Sequence, residues 1–290
     1  MTRYCDAHIH LSHSKKPDFS ENEQYFCVSS CHSQEEFEFL SGASLTRALS
    51  LSCAFPFGSG VPLLGSPRSS APLPTGSATA PYPCAFISYG IHPQSPSIGN
   101  KSFIEEELAF LENLLAEKKI VAIGECGFDF FTPEFKATST EQEIVFASQL
   151  ALAQKYNVPL VLHLRKAIEK IFTYSRDLKK IPAVVFHSFP GTLREAQSLM
   201  NHGIKAFFSF GKPILNGKKS AIDCVQNLPL KNLLFETDAP YQTLKGEDET
   251  LPADIKKVYQ KAAELRGIKL NELSQAIYEN FQIVLGNFFP

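Results

Sequence analysis

Val158-Pro159-Leu160-Val161-Leu162-His163-Leu164-Arg165 is an almost unbroken apolar run that ends on an imidazole and a guanidinium. Apolar on both faces, it reads as a strand buried on both sides, the habit of parallel sheets, and not as an alternating edge strand. Seven further β-rich runs accompany it: Arg3–His10, Gln24–Cys31, Ala85–Pro93, Val121–Asp129, Ala183–Phe189, Lys205–Gly211 and Asn232–Pro240. Helical periodicity fills most of the intervals, at Glu105–Lys118, Glu141–Tyr156, Leu193–His202, Ala253–Leu265 and finally Asn271–Leu285. Strands alternating with helices predict parallel βαβ units. Eight such strands predict an α/β fold, a single (β/α)8 TIM-type barrel, and 290 residues suit a closed barrel of about 250 residues with an insertion.

The insertion is visible. Residues 56–83 hold seven Pro, four Gly and five Ser, and Arg68 is the only charged residue between Arg47 and Lys101. Such a stretch resists helix and central strand alike. It falls between the second helix and the third strand, on the barrel's N-terminal side, away from the expected active face. The expectation is one domain over 1–290 with a flexible insertion at 56–83, the alternative being a loop that recruits a partner.

Composition narrows the function. With 28 basic and 30 acidic residues the net charge is −2, so no general basic field draws nucleic acid or an anionic membrane. Any action on nucleic acid must rest on local groups or bound metal. No apolar stretch approaches the roughly 20 residues that span a bilayer, and the first ten residues, MTRYCDAHIH, do not read as a secretory signal. Seven cysteines without a framework spacing read as reduced thiols of a cytoplasmic protein.

Chemistry gathers at the strand ends. In Asp6-Ala7-His8-Ile9-His10 the two imidazoles point to one face of the first strand. Alone, this pair is a weak signal, equally served by two hydrogen-bonded strand histidines. Glu125 lies in the fourth run, His163 near the end of the fifth with Arg165 on the same face, His187 near the end of the sixth and Asp238 near the end of the eighth. A carboxylate at the end of an apolar strand is costly to bury unless it meets a cation. Strand ends of a parallel barrel converge on the face that carries active sites. Four imidazoles and two carboxylates exceed the needs of one ion, so His8, His10, Glu125, His163, His187 and Asp238 read as the ligands of two divalent ions. Imidazole with carboxylate suits Zn or Mn, and Mg where carboxylates dominate.

Read together, DAHIH at 6–10, GIHP at 90–93, GECGFDF at 124–130, HLRKA at 163–167, HSFPG at 187–191 and LLFETDAPY at 233–241 resemble the TatD family of metal-dependent deoxyribonucleases. ELSQAIYENFQIVLG at 272–286 is similar to that family's terminal helix. The resemblance implies a barrel hydrolase cleaving DNA phosphodiesters with water activated by two metal ions. It implies that His8, His10, Glu125 and Asp238 hold one ion, and that Glu125, His163 and His187 hold the other, with Glu125 bridging. Asp238 and Glu125 then carry the catalysis, and Arg165 and His92 meet the substrate phosphate. The implied partner is DNA, single-stranded or at its ends, with no membrane involved.

Three departures stand out. Gln94 occupies the place of a second His after GIHP, Ser188 that of the Cys after His187, and the acidic Leu244-Lys245-Gly246-Glu247-Asp248-Glu249 that of an Arg-rich loop. That acidic loop would repel DNA and favours an alternative, an amidohydrolase-type esterase, lactonase or amidase acting on a small molecule. A non-catalytic metal-binding scaffold recruiting a partner through 56–83 is a further alternative, against which the full ligand set argues. Cys5 and Cys126 alternate with the inward residues and are expected to face the helices. Asp129 reads equally as support for a ligand or as a loop cap. His13, His32 and His202 read as surface or structural, and Glu105-Glu106-Glu107 as a solvated helix start.

Overall fold

The computed structural model describes residues 1–15, 18–41 and 85–289. The 56–83 stretch lies outside the described residues. The eight expected strands are all present, β1 Thr2–Ile9, β2 Glu23–Cys31, β3 Ala85–Tyr89, β4 Ala122–Asp129, β5 Leu160–Arg165, β6 Val184–Phe186, β7 Ala206–Phe210 and β8 Leu233–Phe235. They form one parallel sheet in sequence order. The ring closes at its upper rim, where Asp238 N donates to His8 O at 3.0 Å and His10 N donates to Ala239 O at 2.9 Å. Fold class and strand count are thus as read from the sequence.

Ten α-helices are described around the sheet: α1 Gln34–Ser41, α2 Lys101–Ala116, α3 Pro133–Ala137, α4 Ser139–Tyr156, α5 Ile168–Phe172, α6 Ser175–Leu178, α7 Leu193–Asn201, α8 Lys219–Asn227, α9 Ile255–Arg266 and α10 Leu270–Leu285. The apolar strand residues bury outward against them, as Ile123, Leu162, Phe186 and Phe208 show. Helix α7 begins on a capping box, Thr192 with Glu195, in which each side chain satisfies a backbone N–H of the first turn. Helix α2 corrects one expectation. It opens at Lys101, after the cap Asn100, so Glu107 sits within it, buried, bonded to the Tyr89 hydroxyl and to Gln34 Nε2. Glu105–Glu107 is therefore not a helix start, and of the three only Glu105 and Glu106 are solvated.

Two glycines set the spacing that the site needs. Gly124 and Gly127 have φ of +145° and +136°, and a Cβ on them would lie 2.4 Å from Val161 O and 2.2 Å from His163 O. Side chains there would push β4 off β5. Glycine lets the two strands close up, which draws Glu125 toward His163. Cys5 and Cys126 are buried as expected, and burial pushes both thiols up, leaving them protonated at neutral pH. Among the described residues no helix is long and apolar enough to cross a membrane.

Candidate metal centre

Every expected ligand meets at the C-terminal mouth of the barrel, around Glu125. Its Oε2 lies 3.2 Å from His8 Nε2 and 3.9 Å from His10 Nε2. Its Oε1 lies 2.6 Å from His163 Nδ1 and 3.4 Å from His187 Nε2. Asp238 stands across from it, Oδ1 3.4 Å and 3.5 Å from the Nε2 atoms of His8 and His10, and Oδ2 4.0 Å from His187 Nε2. The Nε2 atoms of His8 and His10 face each other at 3.2 Å. Asp238 itself has a φ of +55°, beyond the end of β8, so the backbone turns there and swings its carboxylate inward.

The ligand sets that geometry alone delimits are His8 with His10 and Glu125, His8 with His187 and Asp238, and Glu125 with His92 and His163. His187 thus stands nearer the His8 side than the expected pairing with His163 implies. His92 Nε2 is 3.3 Å from Glu125 Oε1, but its Nδ1 accepts from the Gln94 backbone N–H at 3.1 Å. An imidazole that accepts at one nitrogen carries its proton on the other, so His92 faces the centre with a donor, as suits a substrate contact.

The supporting shell was largely invisible beforehand. His8 Nδ1 meets Ser30 Oγ at 3.2 Å, and Ser30 meets Ser88 at 2.9 Å. His187 Nδ1 lies 3.1 Å from Oε1 of the fully buried Glu236, an electrostatic contact without hydrogen-bond alignment, and that Oε1 accepts from Ser188 N. His163 Nε2 lies 3.0 Å from Asp129 Oδ2. Such partners hold the outer nitrogen of an imidazole and turn the inner one toward a cation. Asp129 resolves to both readings left open for it, since it also accepts from Phe131 N at 2.8 Å. Gln94, the odd residue after GIHP, donates to Asp129 Oδ2 at 2.7 Å.

His32 is the residue the sequence misplaced. Read as surface or structural, it points inward from the end of β2, its Nε2 3.5 Å from Glu125 Oε2 and its ring between those of His10 and His92. No motif flags a lone histidine after a strand; only the circular closure brings it in. His13, bonded to Glu36, and His202, bonded to Ser198 O, stay on the outside as expected.

The charges explain what the centre wants. Burial works to raise the Glu125 carboxyl, but the imidazoles of His187, His92 and His8 outweigh it and hold it well below the usual range. Asp238 is likewise held low against burial, chiefly by His187, His10 and His8. In return, His8 is raised well above its ordinary value by Glu125 and Asp238, and His163 to about 9 by Asp129 and Glu125, each against burial. His92, where burial prevails, falls to about 4. Two buried anions thus draw protons onto imidazoles in the metal-free protein, positions that divalent ions would take over. The donor set, convergent nitrogens and carboxylate oxygens without thiolate, fits such ions.

A pH prediction follows for the metal-free state. His163 has a folded value of about 9 against an ordinary 6.5, so its stabilisation is complete below pH 6.5 and lost as pH rises through about 9. Thermal unfolding in chelator from pH 6 to 10 should show the midpoint falling across that window, and the metal-loaded protein should lack this fall. Identical profiles with and without metal would contradict it.

The acidic loop is less exposed in charge than its sequence suggests. Lys212, buried at the end of β7, reaches Glu247 at 2.5 Å and Asp254 at 2.8 Å, and Glu249 pairs with Lys15. The repulsion expected from Glu247 and Glu249 is therefore compensated within the fold. Beside the centre a cleft of about 450 Å³ runs between Arg165, Ser188, Lys218 and Gln242. Exposed aromatics stand at the mouth: Phe131 with the Arg165 guanidinium 3.6 Å from its ring centroid and Lys166 at 4.9 Å, and Tyr241 edge-on to His10.

Residues 5–286 match the family model described as TatD related DNase. The chain belongs to the TatD-related DNase family. It is 32% identical over 206 residues to the uncharacterized metal-dependent hydrolase YabD of Bacillus subtilis, covering 69% of this chain and 76% of that one. It is 31% identical over 217 residues to the Escherichia coli K12 protein named 3'-5' ssDNA/RNA exonuclease TatD, covering 72% and 80%. The fold is also that of the TatD homologue YJJV of Escherichia coli, at a TM-score of 0.70 and 23% identity over 97% of both chains. A TatD-family metal-dependent hydrolase acting on ester bonds accounts for the buried His and carboxylate cluster at the barrel mouth.

Proposed function

We propose that this TatD-family chain hydrolyses the phosphodiester bonds of single-stranded DNA from an end, as a single hydrolase barrel over 1–290 acting with two divalent ions (Mg, Mn or Zn). The observation that carries the substrate is the pairing of exposed aromatics with cations at the mouth, Phe131 beneath Arg165 and Lys166, with Tyr241 lining the same cleft as Arg165. Aromatic platforms beside cations suit stacked bases and a phosphate chain without a large basic field. The relatives named as ssDNA/RNA exonucleases support the same reading. Reduced, unbridged thiols at the five described cysteines agree with a cytoplasmic setting.

His8, His10, Glu125, His163, His187 and Asp238 would hold the ions, with Glu125 between them. Divalent ions held there would supply Lewis acidity toward water and positive charge at the phosphoryl oxygens. Asp238 takes up the proton that the attacking water releases, its Oδ1 lying on the His8 and His10 side. His92 donates from Nε2, and Arg165 offers the planar fork that matches two phosphoryl oxygens. Asp129 and Glu236 hold His163 and His187 in orientation.

The test is a parallel assay of end-labelled single-stranded DNA and activated carboxyl esters in saturating Mn²⁺, with metal content measured on the purified protein. Mononucleotides appearing from one end are expected. Ester turnover with intact DNA would transfer the site to the small-molecule alternative.

A further inference from the structure

We propose that the Ser188 hydroxyl, oriented by Gln242, donates a hydrogen bond to a non-bridging oxygen of the substrate's phosphoryl group. The inference deepens the phosphodiester reading and rests on it.

The geometry forces the direction of each bond. Gln242 Nε2 lies 2.9 Å from Asp238 Oδ2 and 2.8 Å from Ser188 Oγ. An ionised carboxylate only accepts, so the amide must turn its N–H groups to Asp238. The second hydrogen on the same nitrogen then points at Ser188, whose oxygen is thereby an acceptor. The hydroxyl proton of Ser188 is left over, and among the described residues it finds no acceptor. The backbone of the serine is tied to Glu236 Oε1 through its N–H at 2.8 Å, and its Oγ is held by the Gln242 amide. Gln242 uses its donors at the expense of its carbonyl, for Oε1 is buried without a partner.

Place and strain agree with this. Ser188, Asp238 and Gln242 all line the cleft of about 450 Å³ together with His187 and Arg165. Their φ values are +43°, +55° and +54°, a left-handed backbone that non-glycine residues adopt at a cost and that gathers at functional sites. Three such residues in hydrogen-bond contact hold a fixed donor in the cleft that Arg165 also lines. Ser188 is then a binding residue, and Gln242 a positioning residue that acts through it and through Asp238.

The experiment is calorimetric titration of inorganic phosphate into the metal-loaded protein, with steady-state kinetics on end-labelled single-stranded DNA and metal content in parallel. Ser188→Ala should weaken phosphate binding roughly tenfold, the size expected for a hydrogen bond to a charged group, and raise KM more than it lowers kcat, with metal content unchanged. Ser188→Gly, which relieves the positive φ, should lose the same factor, assigning the loss to the hydroxyl and not to the backbone. In a Gln242→Leu background, adding Ser188→Ala should cost less than about twofold, because an unheld hydroxyl no longer aims at the cleft. Phosphate affinity of Ser188→Ala or Ser188→Gly within twofold of the wild type overturns the proposal, as does a wild-type protein that does not bind phosphate. Wild-type phosphate binding with the tenfold loss, but without DNA cleavage, would leave the hydroxyl's role standing and remove the nuclease reading.

Discussion

Glu125→Gln is expected to lose metal and to lower turnover by about 10²–10⁴-fold. Glutamine keeps the length of the side chain and one carbonyl oxygen, but it removes the charge that holds the imidazoles of His8, His163 and His187 inward. It also turns an N–H₂ toward nitrogens that face Glu125 at 2.6–3.4 Å. A loss of that size is about 3–5 kcal/mol of transition-state stabilisation, at 1.36 kcal/mol per tenfold in rate, and leaving the imidazole cluster without its central carboxylate separately lowers the stability of the metal-free fold. In the metal-free protein the same change should shift the pH-dependent fall in stability to lower pH, since His163 loses one of the two carboxylates that raise it. Metal analysis of the purified variant beside single-turnover rates checks both parts. A full metal complement with near wild-type turnover would remove Glu125 from the bridging position.

Asp238→Asn separates ligand from base. Asparagine preserves shape and an oxygen, but it cannot take up a proton at neutral pH. If Asp238 accepts the proton of the attacking water, turnover falls by about 10² or more, and saturating Mn²⁺ does not restore it. Metal affinity should fall only modestly, because His8, His10 and Glu125 remain grouped without it. Recovery of near wild-type turnover at high Mn²⁺ would show that Asp238 serves as a ligand alone. The Gln242 amide, 2.9 Å from Oδ2, keeps donating only if the new side chain turns its carbonyl oxygen to it, so both proteins need titration on the same substrate.

Much of this was legible in residue order because barrel strands announce themselves locally. Each strand of a parallel barrel is buried on both faces, so an apolar run such as 158–165 is written into composition over a few residues. Each strand's C-terminal end is placed by topology on the same rim, which assigns His8, His163, His187 and Asp238 to one mouth, whereas Glu125 stands in the middle of β4 and joins them across the close β4–β5 contact. The strand ends themselves read too long at β3, β6 and β8; after the last two the backbone passes through Ser188 at φ +43° and Asp238 at φ +55°. Left-handed serine and aspartate carry no mark in the sequence; they persist because surrounding hydrogen bonds determine them.

What the sequence by itself determined is the barrel, its polarity and the ligand-bearing strand ends, since burial pattern and side-chain alternation are properties of short segments. Only the tertiary structure decided which nitrogen of each histidine faces inward, that His32 joins the centre, that Asp129 and Glu236 stand behind His163 and His187, and that Lys212 compensates Glu247 from 35 residues away along the chain. These are contacts between segments remote in sequence, set by ring closure and by the close approach that Gly124 and Gly127 permit between β4 and β5. A local pattern reports burial; partners in a low-dielectric centre are chosen by distance and direction, which exist only once the barrel has closed.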